Sequence, residues 1–139
     1  MAAISCTLLV DDDETTNYLN QALLRRLAVT DAILVAQDGE QALELLHSHC
    51  EQPSAPTCPA LILLDMKMPR MNGVEFLQAY AQHATAQYPA VVIIMLTSLN
   101  PLDVARLQDL PIAGYLTKPL TREKVTAILE EHFTAPQLL

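Results

Sequence analysis

The stretch Ala60-Leu61-Ile62-Leu63-Leu64-Asp65-Met66-Lys67-Met68-Pro69 is the clearest structural signal in the chain. Five apolar residues lead without interruption to a carboxylate, and a proline follows four residues later. Such a run is too short for a typical helix and predicts a strand buried on both faces of a sheet. Open α/β sheets bind their ligands at the carboxyl ends of their strands, where Asp65 would stand. The alternative is an ordinary acidic turn residue, so the other strand ends must decide between the two.

Strand and helix signals alternate along the rest of the chain. Short β-branched or aliphatic runs predict strands, and apolar residues at helical spacing, often behind a capping residue, predict helices. The predicted strands lie at about residues 6–10, 32–36, 60–64, 90–96 and 113–117, and the helices at about 15–28, 38–47, 72–80, 100 onward and 121–133. Five strands alternating with five helices predict an α/β fold, with a parallel sheet covered by helices on both faces.

Composition sets limits on the function. The chain has 139 residues, of which 51% are hydrophobic and 17% charged, as expected for a compact domain rather than a disordered chain. Its formal net charge of −8 argues against nucleic-acid binding, because phosphate backbones are bound by basic surfaces. We therefore expect one domain over residues 1–139, with a core of about 6–133 and a short tail at 134–139. Neither a signal peptide nor a membrane span is indicated.

The three cysteines, Cys6, Cys50 and Cys58, are an odd number in a chain without a recognisable secretion signal. This usage predicts a cytoplasmic protein with reduced thiols. Cys50 and Cys58 flank a stretch that contains proline and serine, and His47 and His49 come just before it. Their spacing matches no common zinc pattern, so we favour a polar loop over a metal site.

Candidate site residues, all polar or charged, follow four of the five predicted strands. They are Asp11 and Asp12, then Asp65, then Thr97 and Ser98, and finally Lys118. Each alone has an ordinary explanation, such as a turn, a helix cap or a surface charge. In a parallel sheet, however, the carboxyl ends of the strands share one edge, so these side chains should converge. Their common position predicts a functional site.

Three carboxylates at one edge point to phosphoryl chemistry around a metal ion. Clustered carboxylates repel one another and attract a cation, and an all-oxygen shell suits Mg²⁺, which also recruits phosphate oxygens. With Mg²⁺ held by Asp12 and Asp65, the Asp65 carboxylate would attack phosphorus and become an aspartyl phosphate. Lys118 would pair with the phosphoryl oxygens, and Thr97 would donate a hydrogen bond to one of them.

Together the motifs resemble the response-regulator receiver domain of two-component signalling, in its stand-alone, chemotaxis-regulator-like form. The resemblance extends over roughly residues 7–133, nearly the whole chain. The matching segments are Leu8-Leu9-Val10-Asp11-Asp12-Asp13, Leu63-Leu64-Asp65-Met66-Lys67-Met68-Pro69 with Met71-Asn72-Gly73, Met95-Leu96-Thr97-Ser98, and Gly114-Tyr115-Leu116-Thr117-Lys118-Pro119-Leu120. Four motifs in the right order make the resemblance specific.

The resemblance implies a flavodoxin-like, doubly wound (βα)5 sheet with strand order 2-1-3-4-5. It also implies a role for each residue at the strand ends. Asp65 would be the phosphoacceptor, Asp12 a direct Mg²⁺ ligand and Asp11 the second acid of the pair. The backbone carbonyl of Lys67 would be a further metal ligand, and the peptide bond between Lys118 and Pro119 would be cis.

The resemblance further implies a switch and a set of partners. Thr97 would move towards the phosphoryl group, and Tyr115 would rotate into the space that Thr97 leaves. The surface of about residues 101–133 would bind a downstream protein. The phosphoryl group would come from a sensor histidine kinase or a phosphotransfer protein. Because the domain would catalyse only its own phosphorylation and dephosphorylation, we do not expect a conventional enzyme.

Three alternatives remain open on the sequence. A phosphorelay shuttle or phosphate sink without its own output would share the same residues. A haloacid-dehalogenase-like phosphatase also uses an aspartyl nucleophile, but Lys67 stands where its second acid should be. A flavodoxin-like FMN carrier needs a phosphate-binding loop after the first strand, where Asp11 and its acidic neighbours would repel phosphate.

Two side chains next to the site depart from the pattern of the receiver family. They concern the rate at which the phosphoryl group is lost and not the identity of the family. Lys67, two residues after Asp65, places an ammonium there, and Leu99, two residues after Thr97, places an apolar group there. In receivers, these two positions influence how fast water reaches the phosphoryl group. We therefore expect both residues to affect the lifetime of the phosphorylated state.

Overall fold

The computed structural model describes residues 3–50, 57–82 and 90–133. The strands are β1 (Ile4–Val10), β2 (Thr30–Ala36), β3 (Leu61–Asp65), β4 (Val91–Leu96) and β5 (Gly114–Thr117). The helices are α1 (Glu14–Leu27), α2 (Gly39–His49), α3 (Gly73–Ala81), α4 (Pro101–Leu107) and α5 (Arg122–Ile128), and α5 continues into a π-helical turn at Leu129–Phe133. All strand pairs are parallel and the strand order is β2-β1-β3-β4-β5. The predicted flavodoxin-like α/β fold is confirmed.

The strand β3 lies at the centre of the sheet, between β1 and β4, and every one of its residues is buried. Successive side chains of a strand point to opposite faces. Accordingly, Ile62 and Leu64 pack in one core with residues of α2, α3 and α4, whereas Leu61 and Leu63 pack in the other with residues of α1 and α5. The predicted burial on both faces is confirmed, and it holds Asp65 at the end of a strand packed on every side.

The predicted helix starts are confirmed by their capping contacts. The side chain of Asp38 accepts a hydrogen bond from the Gln41 amide at the start of α2. Asn72 and Glu75 form a reciprocal capping box at the start of α3, and Asn100 caps α4. The end of α5 differs from the prediction, because its last turn is π-helical. Apolar periodicity does not distinguish one such turn from an α-helical one.

The cysteines contradict the sequence prediction of reduced thiols. The sulfur atoms of Cys50 and Cys58 are 2.12 Å apart, which is a disulfide bond. Composition does not show that Cys50, at the end of α2, lies next to Cys58, just before β3. The Cα atoms of the two residues are 4.7 Å apart. Cys6 is a free, buried thiol, and burial raises its pKa to about 11.

Some of the predicted segments lie outside the described residues. They are most of the polar loop, at residues 51–56, and the tail at 134–139. Within the described part of the chain, the helices are too short or too polar to cross a membrane.

We expect the Cys58→Ser variant to be less stable than the parent by about 2–3 kcal/mol under non-reducing conditions, because a disulfide over a short loop still restricts the unfolded chain. Urea unfolding of both proteins, with and without a reductant, measures the difference. With the reductant present, the two unfolding midpoints should nearly coincide. Equal midpoints without the reductant would show that the two thiols do not pair.

Candidate functional site

The carboxyl ends of four strands surround one cavity of about 250 Å³. The predicted site residues that line it are Asp11, Asp12, Asp65, Lys67, Thr97, Ser98 and Lys118. Asp103 of α4 also lines the cavity, although the sequence analysis did not single it out. Tyr115 instead lines a separate depression between β5 and α5. The convergence of the strand-end residues is therefore confirmed, with Tyr115 set apart from them.

Three carboxylates form the centre of the site. Asp11, Asp12 and Asp65 each present an oxygen atom, and these atoms lie within 4.8 Å of one another. Asp11 and Asp65 are only 4% and 8% exposed, whereas Asp12 is exposed to solvent. Carboxylate oxygens with an open side towards water are the ligands that Mg²⁺ prefers, since it keeps several of its waters. The donor set therefore fits a hard divalent cation.

Lys118 is the cation that contacts the acids of the site. Its Nζ donates a hydrogen bond to Asp11 Oδ2 at 2.7 Å and lies 3.4 Å from Asp65 Oδ1. Burial disfavours the ammonium form, but the hydrogen bond to Asp11 and the charges of both acids outweigh burial, so the pKa of Lys118 is raised. One ammonium thus faces three carboxylates, and the cluster keeps an excess of negative charge.

The electrostatics of Asp65 follow from this excess. Burial raises its pKa, the neighbouring Asp11 raises it further, and the charge of Lys118 only partly opposes them. The pKa of Asp65 is consequently above that of an ordinary aspartate. A divalent cation bound beside Asp65 would favour its ionised form, which is the nucleophilic one.

The loop after β1 orients the first pair of acids. Asp13 caps α1 by accepting a hydrogen bond from the Thr15 amide, and the Asp13 amide donates to Asp11 Oδ1 at 2.9 Å. Asn17 of α1 is buried, and its Nδ2 donates to the Asp11 carbonyl at 2.8 Å. The sequence analysis missed Asn17. The only signal would have been a polar residue on the buried face of α1.

The proposed switch residues have distinct positions. Thr97 is exposed at the cavity, directly after β4, and Tyr115 is 47% exposed. The Lys118–Pro119 peptide bond is cis, as the resemblance implied.

Comparisons with known proteins agree on one family. The model of the family described as the response regulator receiver domain matches residues 7–130. A probable chemotaxis protein CheY of Rhizobium etli is 34% identical over 128 residues, which is 92% of each chain. The response regulator Rcp1 of Synechocystis is 32% identical over 111 residues, covering 80% of this chain and 74% of that protein.

Solved structures give the same result. A two-component response regulator from Cytophaga hutchinsonii superposes with a TM-score of 0.79 at 27% identity, covering 91% of this chain and 94% of that one. The phosphorylated cyanobacterial phytochrome response regulator RcpA superposes with a TM-score of 0.72 at 28% identity, covering 96% of both chains.

We expect the Asp65→Asn variant to melt a few degrees above the parent at neutral pH without Mg²⁺. An aspartate whose pKa is higher in the folded than in the unfolded state destabilises the fold when it ionises. This penalty is complete above the folded-state pKa and disappears as the pH falls towards the ordinary value of about 3.9. The stability difference should therefore shrink as the pH is lowered.

Thermal melts of the parent and variant between neutral and mildly acidic pH test this expectation. Asp109→Asn is the matched control, because it removes the same charge from an exposed residue outside the cavity. A similar gain in both variants would indicate general charge repulsion rather than the burial of Asp65.

Proposed function

The chain belongs to the response regulator receiver domain family, and from that premise we propose that Asp65 accepts a phosphoryl group from a phosphohistidine donor. It is a receiver domain of a two-component response regulator, with an acidic pocket formed by Asp11, Asp12 and Asp65. The family consists of signalling domains, not of conventional enzymes. The main support for Asp65 as the acceptor is its buried carboxylate beside two further acids and Lys118.

The metal that we propose for this pocket is Mg²⁺. Asp12 and Asp65 would hold it with side-chain oxygens, Lys67 would hold it with its backbone carbonyl, and Asp11 would be the second acid beside it. When bound, the ion would neutralise negative charge on the phosphoryl oxygens and on the carboxylates. The oxygen donors present within 4.8 Å of one another support this choice.

The chain's own residues account for the transfer step. An Asp65 oxygen forms a bond to phosphorus while the bond between phosphorus and the donor's imidazole nitrogen breaks. The ring takes that electron pair and, protonated on its other nitrogen, leaves as neutral imidazole. Lys118, already 3.4 Å from Asp65 Oδ1, pairs with the phosphoryl oxygens, and Thr97 donates a hydrogen bond to one of them. Small donors such as acetyl phosphate would react in the same way, with acetate as the leaving group.

The output that we propose is a change of the surface formed by about residues 101–133. Thr97 moves towards the phosphoryl group, and Tyr115, which is half exposed before phosphorylation, rotates inward. Leu102 on α4 is also strongly exposed and supplies apolar area to a downstream protein. The phosphodonor is a sensor histidine kinase or a phosphotransfer protein.

We further propose that residues of about 6–133 act as one receiver domain in the cytoplasm, where histidine kinases use ATP and where reducing conditions would act on the Cys50–Cys58 disulfide. A relay shuttle or phosphate sink would use the same acceptor and the same metal site. It would differ only in lacking a protein that binds the phosphorylated form more tightly than the unphosphorylated one.

We expect acetyl phosphate and Mg²⁺ to add one phosphoryl group to the parent protein and none to Asp65→Asn. Only the parent keeps the nucleophilic oxygen in contact distance of Lys118. Intact-mass spectrometry of both proteins measures the adduct, and Asp109→Asn serves as the control that should still react. An unmodified parent, or an equal adduct on Asp65→Asn, would refute the assignment of Asp65.

We expect Lys67→Ala and Leu99→Ala each to shorten the phosphoryl lifetime by about 2- to 5-fold. A change of this size corresponds to less than about 1 kcal/mol in the activation free energy of hydrolysis, as expected when one exposed contact is lost. Removing the Lys67 ammonium exposes the phosphoryl group, and removing the Leu99 side chain admits water. Loss of the adduct with time, followed by mass after the donor is removed, gives the rates. Identical rates in the two variants and the parent would show that neither side chain affects hydrolysis.

A further inference from the structure

We propose that the ion pair between Arg70 and Asp38 is a positioning device for the metal site, because it holds the loop that carries Lys67. This inference rests on the proposed function, since it concerns the Mg²⁺ ligand that Lys67 would supply. The loop connects β3 to α3 over residues 66–72. Arg70 and Asp38 would contact neither the metal nor the phosphoryl group directly.

Arg70 has an unusual backbone conformation within this loop. Its φ angle is +63°, in the left-handed region that residues other than glycine rarely adopt. From there its Nε donates a hydrogen bond to Asp38 Oδ2 at 2.8 Å, and its Nη2 contacts the same oxygen. The two residues are 32 positions apart in sequence. The ion pair thus offsets an unfavourable backbone conformation at one defined point of the loop.

Asp38 is a suitable anchor because it is itself fixed. Its side chain is 1% exposed, and its other oxygen, Oδ1, accepts the capping hydrogen bond from the Gln41 amide at 2.9 Å. Although burial acts to raise the pKa of Asp38, the hydrogen bonds from Gln41 and Arg70 outweigh burial and hold it below the ordinary value. The carboxylate therefore remains charged at neutral pH, and the Arg70 side chain, 61% exposed, reaches inward to it.

A second contact attaches the neighbouring residue of the loop to the same helix start. The Gly39 amide donates a hydrogen bond to the Met71 carbonyl at 3.0 Å. A Cβ atom on residue 39 would lie only 2.6 Å from Met71 Cγ, so the packing of Met71 over this backbone depends on glycine. Met71 also packs against the core formed by α2, α3 and α4. Two consecutive residues of the loop are therefore bound to two consecutive residues at the start of α2.

The end of the loop at α3 is held against the residue that follows β3. The Gly73 amide donates to the Met66 carbonyl at 3.0 Å, and a Cβ atom on Gly73 would lie 2.7 Å from the Asp65 carbonyl oxygen. Within the loop, the Met71 amide donates a hydrogen bond to the Pro69 carbonyl at 2.7 Å. Lys67 lies in the segment between Met66 and Pro69, whose carbonyls are both engaged.

The consequence concerns the metal. A carbonyl ligand on a restrained segment binds without first being ordered, whereas one on a free loop loses affinity to the entropy of ordering. Breaking the pair between Arg70 and Asp38 releases the loop on the Lys67 side and should weaken Mg²⁺ binding. Contacts that orient metal ligands without touching the metal commonly act in this way.

The experiment compares Mg²⁺ binding to the unphosphorylated protein by isothermal titration calorimetry. Arg70→Gln and Asp38→Asn each remove one partner, and Asn at position 38 keeps an oxygen to cap α2. We expect each to raise the Mg²⁺ Kd by about 3- to 10-fold, at or below the lower limit of the roughly 10- to 100-fold loss that is typical when a contact that orients a metal ligand is removed. Arg70→Lys keeps the charge and should recover part of the affinity.

Charge alone would give a different pattern. Arg70→Gln makes the protein more negative and would by itself tighten the binding of a cation, whereas Asp38→Asn would weaken it. The positioning role requires that both weaken it. Arg26→Gln is the matched control, since it removes the same charge from an exposed position in the last turn of α1. Its Kd should equal that of the parent or be slightly lower.

Each outcome is decisive for one of the proposals. Absence of Mg²⁺ binding to the parent would refute the metal site of the proposed function itself. Binding to the parent with an unchanged Kd in Arg70→Gln and Asp38→Asn would overturn only the positioning role. Urea unfolding of the same variants completes the test. A loss of stability with an unchanged Kd would show that the ion pair merely stabilises the fold, and it too would overturn the proposal.

Discussion

Repulsion among three carboxylates is the interaction on which the site depends. Asp11, Asp12 and Asp65 present oxygen atoms within 4.8 Å of one another, and within the described residues Lys118 supplies the only ammonium paired with them. The chain therefore leaves the cluster with negative charge that a cation must offset. Because the negative charge is so poorly balanced, a bound metal or an added phosphoryl group would change the local field strongly, and the Thr97 and Ser98 hydroxyls at the same cavity would experience that change.

The hydrophobic sheet is what keeps these acids together. Each of the four aliphatic side chains at Leu61–Leu64 is almost completely buried, and burying such a side chain contributes about 1.5–3 kcal/mol. These contributions act against the cost of ionising one buried carboxylate whose pKa is raised. The strand can therefore stay buried at the centre of the sheet although it ends in the Asp65 carboxylate. A site of this kind requires a strongly buried central strand, which is why the longest apolar signals in the sequence adjoin the functional residues.

The sequence predicted those features that depend on near neighbours along the chain. Strand burial, the caps at Asp38, Asn72 and Asn100, and the acids at the strand ends all follow from local patterns and from the geometry of parallel sheets. The features it missed join distant or irregular segments. They include the Cys50–Cys58 disulfide, the π-helical end of α5, the hydrogen bond from Asn17 and the ion pair of Arg70 with Asp38. No local pattern specifies a contact between residues 32 positions apart.

The contacts around the loop after β3 suggest how one residue can serve two purposes. The backbone of Lys67 is held between the Met66 and Pro69 carbonyls, both engaged in hydrogen bonds, while its side chain is exposed at the cavity. Metal binding would depend on the Lys67 backbone carbonyl. The access of water to the phosphoryl group would depend on the Lys67 side chain. Since the backbone is restrained by residues other than Lys67 itself, the side chain at this position can differ without moving the carbonyl. Such a separation would let the lifetime of the proposed phosphorylated state vary while the proposed metal site stays the same.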